Sequence, residues 1–209
     1  MKGDGFYYSQ NRAEMIDLID SSLENVTILD VGAGEGGFLN LVKKALNVRE
    51  CWAIEPSDIY TKIKADCVYN LPVEEALSKL PDAYFDFIFF NDVIEHLVSP
   101  WDILHAVKQK LAPNGRIVIS VPNFLFIDAV KHIMRGDFYY QEYGVLDKTH
   151  LRFFTYKSLL RLVNDCGYKV ELIKGINGYY TWKYRLLNTL TLGYFKNLFH
   201  QQWALRIKI

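Results

Sequence analysis

The sequence has few cysteines and no long apolar run, and both absences narrow the class of protein. Its three cysteines, Cys51, Cys67 and Cys166, are too far apart to form a C-x-x-C motif. An odd number at such spacings argues against a disulfide scaffold or a zinc site and indicates a reducing compartment. No stretch reaches the ~18 consecutive apolar residues of a membrane-spanning helix, and the N-terminal MKGDGFYYSQNR does not resemble a signal peptide. We therefore expect a cytoplasmic protein.

The chain also has no net charge, because 24 Lys and Arg residues balance 24 Asp and Glu residues. Nothing in this balance indicates a nucleic-acid partner, and none is expected. Residues 175–209 are an exception, since they contain no Asp or Glu. Their basic residues are Lys183, Arg185, Lys196, Arg206 and Lys208. This segment could make weak peripheral contact with an anionic membrane, or it could form a terminal hairpin in which WALRIKI is an edge strand.

Short apolar runs alternate with amphipathic segments along the chain. Strands are predicted in VTILDVG, ECWAIEP, ADCVYNLP, YFDFIFFND, RIVISVPN, KVELIKGI and WALRIKI. Helices are predicted in residues 11–24, GGFLNLVKKAL, SPWDILHAVKQKLAPNG, where Ser99 is the cap and Pro100 the first residue, and TYKSLLRLVNDCGY. The alternation predicts an α/β fold with a doubly wound, mostly parallel seven-stranded sheet and helices on both faces.

This pattern predicts a single domain of residues 1–209 with four parts. They are an N-terminal helix or lid (1–25), a cofactor-binding core (26–121), an aromatic-rich substrate cover (122–150), and a C-terminal helix with terminal strands (151–209).

The stretch ILDVGAGEGGF contains glycines at the spacings of two nucleotide-binding turns. Gly32, Gly34 and Gly37 match G-x-G-x-x-G, and Gly36 in place of Gly37 gives G-x-G-x-G. Ligands of open α/β sheets bind beyond the carboxyl ends of the strands. The turn after the first strand is therefore predicted to hold a cofactor.

Acidic residues near this turn favour one cofactor over another. Asp30 and Glu35 would each repel a dinucleotide pyrophosphate by ~1–4 kcal/mol. S-adenosylmethionine carries an ammonium and a sulfonium instead, and both suit carboxylates. Glu55, about 20 residues further on, could bind the ribose hydroxyls of either ligand. The residues alone favour S-adenosylmethionine and leave an NAD(P)-dependent oxidoreductase, or a non-catalytic cofactor-binding scaffold, as alternatives.

Five stretches resemble motifs of one family, the class I S-adenosylmethionine-dependent methyltransferases. They are ILDVGAGEGGF, WAIEPS, YFDFIFFNDVIEHLVSPW, LAPNGRIVISVPN and YGVLDKTHLRFFTYKSLLRLVNDCGY. The last resembles a narrower branch of small bacterial enzymes, often associated with cell-surface glycan synthesis and related to the ubiquinone-pathway O-methyltransferases. The resemblance implies a Rossmann-like methyltransferase fold and transfer of a methyl group to a hydroxyl, or less readily an amine, of a small-molecule or glycan-type acceptor.

The resemblance also implies a cofactor site. The expected cofactor-binding residues are Arg12, Asp30, Gly32, Ala33, Gly34, Gly36, Glu55, Pro56, Asn70, Asn91, Asp92 and Val93. In this set Arg12 would pair with the methionine carboxylate and Glu55 would bind the ribose. Asn70 stands where the family usually has an Asp facing the adenine amino group.

His150 is the candidate catalytic residue, because a neutral imidazole near the site could accept a proton from a substrate hydroxyl. It could instead orient Arg152 or cap its loop. The expected substrate-contacting residues are Tyr7, Tyr8, His96, Tyr143 and Arg152.

Asp92, Glu95 and His96 are spaced i, i+3, i+4. A similar acid–x–x–Glu–His set binds a divalent metal in some ubiquinone-pathway relatives. Two carboxylates and one imidazole do not specify a metal. We expect no metal, and expect Glu95 and His96 to orient the cofactor loop.

Overall fold

The computed structural model describes residues 12–19, 22–178 and 181–209, so the predicted substrate residues Tyr7 and Tyr8 lie outside the described part of the chain. Its strands are β1 (Glu24–Val31), β2 (Asn47–Ile54), β3 (Cys67–Tyr69), β4 (Phe85–Asn91), β5 (Leu111–Pro122), β6 (Lys169–Gly178) and β7 (His200–Lys208). They form one sheet in the order β3-β2-β1-β4-β5-β7-β6. β7 is antiparallel to β5 and β6, and the other neighbouring pairs are parallel. The predicted doubly wound, mostly parallel sheet is confirmed.

Six α-helices connect or flank these strands in the described residues. They are α1 (Gly37–Ala45), α2 (Val73–Ala76), α3 (Pro100–Val107), α4 (Ile127–Met134), α5 (Tyr156–Asp165) and α6 (Trp182–Leu190). Short 3-10 helices cover Ala13–Leu18, Asp58–Lys62, Leu77–Lys79, Ile94–His96, Lys108–Lys110 and Lys196–Phe199. None of the described helices is long and apolar enough to cross a membrane.

The sheet is covered on both faces, because its central strands alternate apolar side chains between two clusters. On β4, Phe90 belongs to the cluster under α3 and α5, whereas Phe87 and Phe89 belong to the cluster under α1. All three rings are fully buried, and burial of each stabilises the fold by roughly 1.5–3 kcal/mol. Such burial on both faces explains why this strand is an almost continuous apolar run rather than an alternating one.

Two local predictions for helices need correction. Of the predicted helix over 11–24, the described residues form only the 3-10 helix Ala13–Leu18, which ends where Ile19 becomes extended. Ser99 precedes α3, and Pro100 occupies the first turn as predicted, but the Ser99 side chain makes no capping hydrogen bond.

The prediction of WALRIKI as an edge strand is also wrong, because β7 lies inside the sheet and β6 forms the edge. Trp203 and Leu205 pack on one face of β7, and Ala204 packs on the other. The charged Arg206 is tolerated on this internal strand because its guanidinium binds Glu171 at 3.0 Å and the Leu18 carbonyl at 3.0 Å.

The segment after β5 forms a small layer of its own beyond the carboxyl edge of the sheet. Helix α4 contributes Ala129 to an apolar cluster that includes Phe126 and Leu146. The rings of Phe124 and Phe153 lie beside it, 5.0 Å apart. The aromatic-rich segment predicted over 122–150 is therefore present, while its role as a substrate cover stays a prediction.

Candidate active site

A cavity of about 480 Å³ opens at the carboxyl ends of β1 and β4, where the strand order reverses direction. This is the position at which doubly wound sheets bind ligands. Most of the predicted cofactor residues line the cavity, hereafter the crevice. They are Arg12, Asp30, Gly32, Ala33, Gly34, Glu55, Pro56, Asn91, Asp92 and Val93.

The turn after β1 is shaped by backbone hydrogen bonds to the neighbouring strand. The N–H groups of Gly32 and Ala33 donate to the Ile54 carbonyl at 2.8 and 3.1 Å. Gly32 has a φ of 69°, and a Cβ atom there would lie 2.6 Å from the Cγ2 atom of Val93. Because both the left-handed backbone and the close approach exclude a side chain, this position requires glycine.

The Glu55 carboxylate bridges the two loops that border the crevice. Its Oε2 accepts from the Gly34 N–H at 2.8 Å, and its Oε1 accepts from the N–H and the hydroxyl of Ser57 at 3.0 and 2.6 Å. The side chain is buried. A carboxylate oxygen has more than one lone pair, so a carboxylate held this way can still accept hydroxyl groups from a ligand.

Three of the buried polar atoms that have no hydrogen-bond partner in the described residues lie at the ends of β1 and β4. Asp30 is 2% exposed, and its Oδ1 has no hydrogen-bond partner in the described residues. Burial, together with the charge of Glu55, raises the pKa of Asp30 well above its ordinary value. The amide oxygen and nitrogen of Asn91 are likewise buried without partners in the described chain. These orphaned groups fit a ligand that brings hydrogen-bond donors and positive charge.

A network joins the chain's first described residue to its last strand along one wall of the crevice. Arg12 forms an ion pair with Asp92 and donates to Gln202 Oε1 at 2.8 Å. Gln202 Nε2 lies 3.0 and 3.1 Å from the two carboxylate oxygens of Asp92, and the Ser120 hydroxyl donates to Oδ1 at 3.0 Å. Asp92 is thereby fixed as part of the wall. No pattern in the sequence indicates Gln202, because the residues alone predict β7 at the edge of the sheet.

Glu35 does not contribute to the acidic crevice as the sequence predicts. Glu35 is not among the crevice-lining residues, because its carboxylate pairs with Lys62 at 2.5 Å on the surface. The acidic character next to the turn comes instead from Asp30 and Glu55, which line the crevice and are both buried.

Two further predicted cofactor residues, Gly36 and Asn70, are not among the residues that line the crevice. Gly36, with a φ of 79°, is the N-cap of α1. Asn70 donates from Nδ2 to the carbonyls of Glu55 and Ser57 at 2.9 and 3.2 Å. Both residues therefore shape the loops of the crevice, and direct contact of Asn70 with an adenine stays a prediction.

The two histidines predicted to act on the substrate lie side by side, but they are not equally placed. His96 lines the crevice, whereas His150 is buried behind it, with ring centroids 4.9 Å apart. The Nδ1 atoms lie 3.2 Å from the Thr149 carbonyl and 3.3 Å from the Val145 carbonyl, respectively. Carbonyl oxygens only accept, so each Nδ1 carries the hydrogen and each Nε2 a lone pair. Burial lowers the pKa of both imidazoles, and His96 lowers that of His150 further. Both rings are neutral near pH 7.

Glu95 completes a group with the histidines. Its side chain is 1% exposed, neither carboxyl oxygen has a hydrogen-bond partner in the described residues, and burial raises its pKa to about 8. The Glu95, His96 and His150 atoms that could bind a cation lie within 4.8 Å of one another. Asp92 is not part of this group, so the i, i+3, i+4 spacing does not gather its three residues. A carboxyl that is protonated at neutral pH is a poor cation ligand, and the absence of a metal stays a prediction.

Of the other predicted substrate residues, the two in the described part of the chain, Tyr143 and Arg152, are not among the residues that line the crevice. Tyr143 is 72% exposed. Arg152 donates to the Val98 carbonyl, and it does not pair with Asp147 as one interpretation of the sequence suggested. Asp147 instead accepts from the N–H and hydroxyl of Thr149 at 2.8 and 2.7 Å. This turn holds Thr149 at the crevice.

Sequence reasoning missed several lining residues. They are Val31, Phe38, Ile54, Ser57, Pro72, Val73, Glu74, Leu97 and Thr149. Most of them lie at or shortly after the carboxyl ends of strands β1 to β4. Their closeness in sequence to those ends is the signal that could have identified them.

The fold and the crevice define the class of protein: an α/β enzyme whose acidic cofactor crevice suits S-adenosylmethionine, as in the S-adenosylmethionine-dependent methyltransferases. A family model described as a methyltransferase domain matches residues 7–173. The chain belongs to this methyltransferase family. The enzyme class and the cofactor predicted from the sequence are thereby confirmed, and the nicotinamide-dependent alternative is not supported.

Individual relatives differ in what they modify. The chain is 25% identical over 187 residues to the ubiquinone biosynthesis O-methyltransferase of Hydrogenovibrio crunogenus, covering 83% of this chain and 75% of the relative. It is 30% identical over 131 residues to the tRNA U34 carboxymethyltransferase of Pseudoalteromonas atlantica, covering 57% and 39%. A crystal structure of a SAM dependent methyltransferase from Archaeoglobus fulgidus has a TM-score of 0.66 at 20% identity, covering 88% and 86% of the two chains. This last likeness shows the fold.

Proposed function

We propose that the enzyme transfers the methyl group of S-adenosylmethionine to a hydroxyl of a small-molecule or glycan-type acceptor. The observation that carries this proposal is the neutral His96 imidazole, which lines the crevice with its Nε2 lone pair unprotonated. A hydroxyl is a poor nucleophile until its proton has a base to move to, and a neutral imidazole is a suitable base near pH 7. An amine already has a lone pair when neutral and needs such a base less.

The residues of the crevice have separate tasks in this proposal. Glu55 holds the ribose hydroxyls, and Asp30 and Asn91 accept from the amino-acid part of the cofactor. When bound there, S-adenosylmethionine supplies a methyl group on a cationic sulfur. His96 Nε2 would accept the proton of the acceptor hydroxyl. The hydroxyl oxygen would take the methyl group as the bond between the sulfur and the methyl carbon breaks, and S-adenosylhomocysteine would leave. Arg12, Asp92 and Gln202 hold one another in place along one wall of the crevice, and we expect much of the rate to come from alignment of the acceptor oxygen with the methyl group.

His150, the catalytic candidate from the sequence, takes a supporting role. It lies behind His96, and the two rings pack edge to face with their centroids 4.9 Å apart. Its burial keeps a second imidazole neutral there, so the pair avoids two adjacent positive charges.

The charge of the crevice supports an acceptor other than a nucleic acid. Its lining includes the acidic residues Asp30, Glu55, Glu74 and Asp92, and the basic Arg12 is paired with Asp92. A phosphate backbone would be repelled by this surface. The tRNA-modifying relative is matched over 39% of its length, and the ubiquinone-pathway relative named as an O-methyltransferase is matched over 75%. A cytoplasmic location and a peripheral membrane contact through residues 175–209 also stay predictions.

An acceptor screen with tritium-labelled S-adenosylmethionine tests the proposal. Phenols, hydroxylated sugars and sugar nucleotides would be compared with their amino analogues and with transfer RNA. We expect label in the hydroxyl compounds, carried as a methyl ether. Label confined to amines, or to transfer RNA, would overturn the acceptor class.

A His96→Asn variant tests the base, with His105→Asn as the control because His105 is exposed on α3. We expect a loss in kcat of about 10²-fold or more, nearly unchanged affinity for S-adenosylhomocysteine, and loss of the acidic limb of the pH profile of kcat/KM. Unchanged turnover in His96→Asn would remove His96 from the mechanism. An equal fall in turnover and in affinity would make it structural.

A further inference from the structure

The C-terminal helix carries an apolar strip that faces solvent, separate from the crevice. Trp182, Leu186 and Leu190 follow one another at four-residue intervals on α6 and therefore share one side of the helix. Their side chains are 69%, 51% and 73% exposed. The turn after the helix adds Leu192 and Tyr194, at 96% and 83% exposed. These five residues are called the α6 strip, and contiguous apolar exposure of this kind marks an interaction surface.

The strip lies in a part of the chain that carries only positive charge. Residues 175–209 contain no Asp or Glu. Arg206 and Lys208 both pair with Glu171, at 3.0 and 3.1 Å. Arg185 on α6 and Lys196 just beyond the strip are both exposed. In the described residues, Arg185 and Lys196 therefore bring positive charge close to the strip.

The strip is held at a fixed place on the molecule. Helix α6 connects Gly178, the last residue of β6, with His200, the first of β7, and these two residues pair across the strands. Tyr184 on α6 packs its ring 4.8 Å from that of Phe199. Asn123, after β5, donates from Nδ2 to the carbonyls of Asn197 and His200 at 2.7 and 2.8 Å. Since β5 and β6 both end here, the strip lies at the same edge of the sheet as the crevice.

We infer that the α6 strip binds the surface of an anionic lipid bilayer. Helices that lie in the membrane interface combine an apolar face rich in Leu and Trp with flanking Lys and Arg. An aromatic ring such as that of Trp182 suits the boundary between headgroups and acyl chains. Anionic headgroups would attract Arg185 and Lys196.

Charge favours a bilayer over two other partners, a second copy of the chain and a polyanion. A second copy of the chain would bring two acid-free segments together, and like charges facing each other oppose such an interface. A polyanion such as RNA would be attracted to Arg185 and Lys196 but would leave Leu186, Leu190 and Leu192 without a partner. A bilayer with anionic headgroups offers both negative charge and an apolar phase to one surface.

Vesicle flotation of the full chain tests this inference. We expect binding to phosphatidylcholine vesicles that contain phosphatidylglycerol, little binding to pure phosphatidylcholine, and weaker binding as salt is raised. Leu186→Ser combined with Leu190→Ser should lower the partition coefficient about tenfold or more, and Arg185→Gln should lower it about fivefold. The controls are Ile209→Ser and Arg161→Gln, which change an exposed apolar residue and an exposed basic residue elsewhere.

Tryptophan fluorescence and S-adenosylhomocysteine binding are measured beside flotation. Tryptophan emission should shift to the blue on adding phosphatidylglycerol vesicles, and Trp182→Phe should abolish that shift because the indole then lacks its place at the interface. Absence of binding, an equal loss in the control variants, or a parent dimer that dissociates in the double Leu variant would each overturn the inference. S-adenosylhomocysteine binding measured without lipid should be the same in all variants, which separates this surface from the crevice and from the proposed acceptor chemistry.

Discussion

Replacing Glu95 with Gln should change how the folding stability depends on pH. The Glu95 carboxyl is 1% exposed, neither of its oxygens has a hydrogen-bond partner among the described residues, and burial raises its pKa to about 8. In the unfolded chain the same group titrates near pH ~4.3. The folded state therefore binds this proton more tightly. The stability linked to it is fully present below the unfolded pKa and is lost as pH rises through the folded pKa.

The size of the effect follows from the difference between the two pKa values. Each pKa unit corresponds to ~1.36 kcal/mol, so the free energy of unfolding should fall by roughly 3–5 kcal/mol between the two pKa values because of Glu95. A Gln side chain has nearly the same shape and stays neutral throughout. Glu95→Gln should match the parent in mild acid and become increasingly more stable as pH rises, with the gain levelling off above the folded pKa.

Urea unfolding across that pH range measures the prediction. Glu75→Gln is the matched control, because Glu75 is exposed on α2. The buried Asp30 carboxyl, whose pKa is also raised by burial, contributes with the same sign to every protein compared and cancels in the difference. If the curves of the parent and Glu95→Gln stay parallel at every pH, Glu95 is ionised or solvated in the folded state and the reasoning fails.

Three other substitutions test the crevice itself. Asp30→Asn removes a buried charge without a partner, so it should stabilise the ligand-free protein, and it should weaken S-adenosylhomocysteine binding by roughly 1.5–3 kcal/mol. Thermal unfolding measures the stability and calorimetry the binding. A variant that binds normally would refute the assignment of Asp30 to the cofactor site. Gln202→Leu leaves Asp92 short of two hydrogen bonds and should lower the free energy of unfolding by roughly 1–3 kcal/mol, whereas a neutral result in urea unfolding would mean that the network adds nothing. Gly32→Ala should destabilise the folded protein through both its backbone angle and its contact with Val93. A Val93→Ala background should restore only the stability lost through the contact, because the backbone strain of ~1–2 kcal/mol remains. Complete recovery of stability in thermal unfolding would show that the strain is absent.

The strands could be predicted because their patterns are local. β4 reads as a buried run since both faces are covered, and the turn at Gly32 follows β1 directly. The place of β7 could not be read this way. Its alternation is that of a half-exposed strand, and the contacts of Arg206 with Glu171 on β6 and with the Leu18 carbonyl make an internal position tolerable.

The candidate site likewise contains residues that local sequence predicts and contacts that it does not. Glu55 and Asp30 were predictable because they end consecutive strands that meet at one edge. Glu35 was placed at the cofactor by sequence distance alone, and its pairing with Lys62 depends on a loop 27 residues away. Gln202 reaches Asp92 across 110 residues. No sequence window contains both partners, so no periodicity or spacing could reveal such contacts.

Unsatisfied polar groups complement the motifs in identifying the functional end of this fold. A buried polar atom without a partner disfavours folding by ~1–3 kcal/mol, so a chain tolerates few of them. Trp203 and Asn188 each have such an atom outside the crevice, so the criterion alone is insufficient. Asp30 and Asn91 differ because they also line a cavity at the reversal of the strand order, where a ligand can supply what the fold lacks. Cofactor binding should therefore stabilise the parent more than Asp30→Asn at equal cofactor concentration, because binding relieves a defect that the variant no longer has.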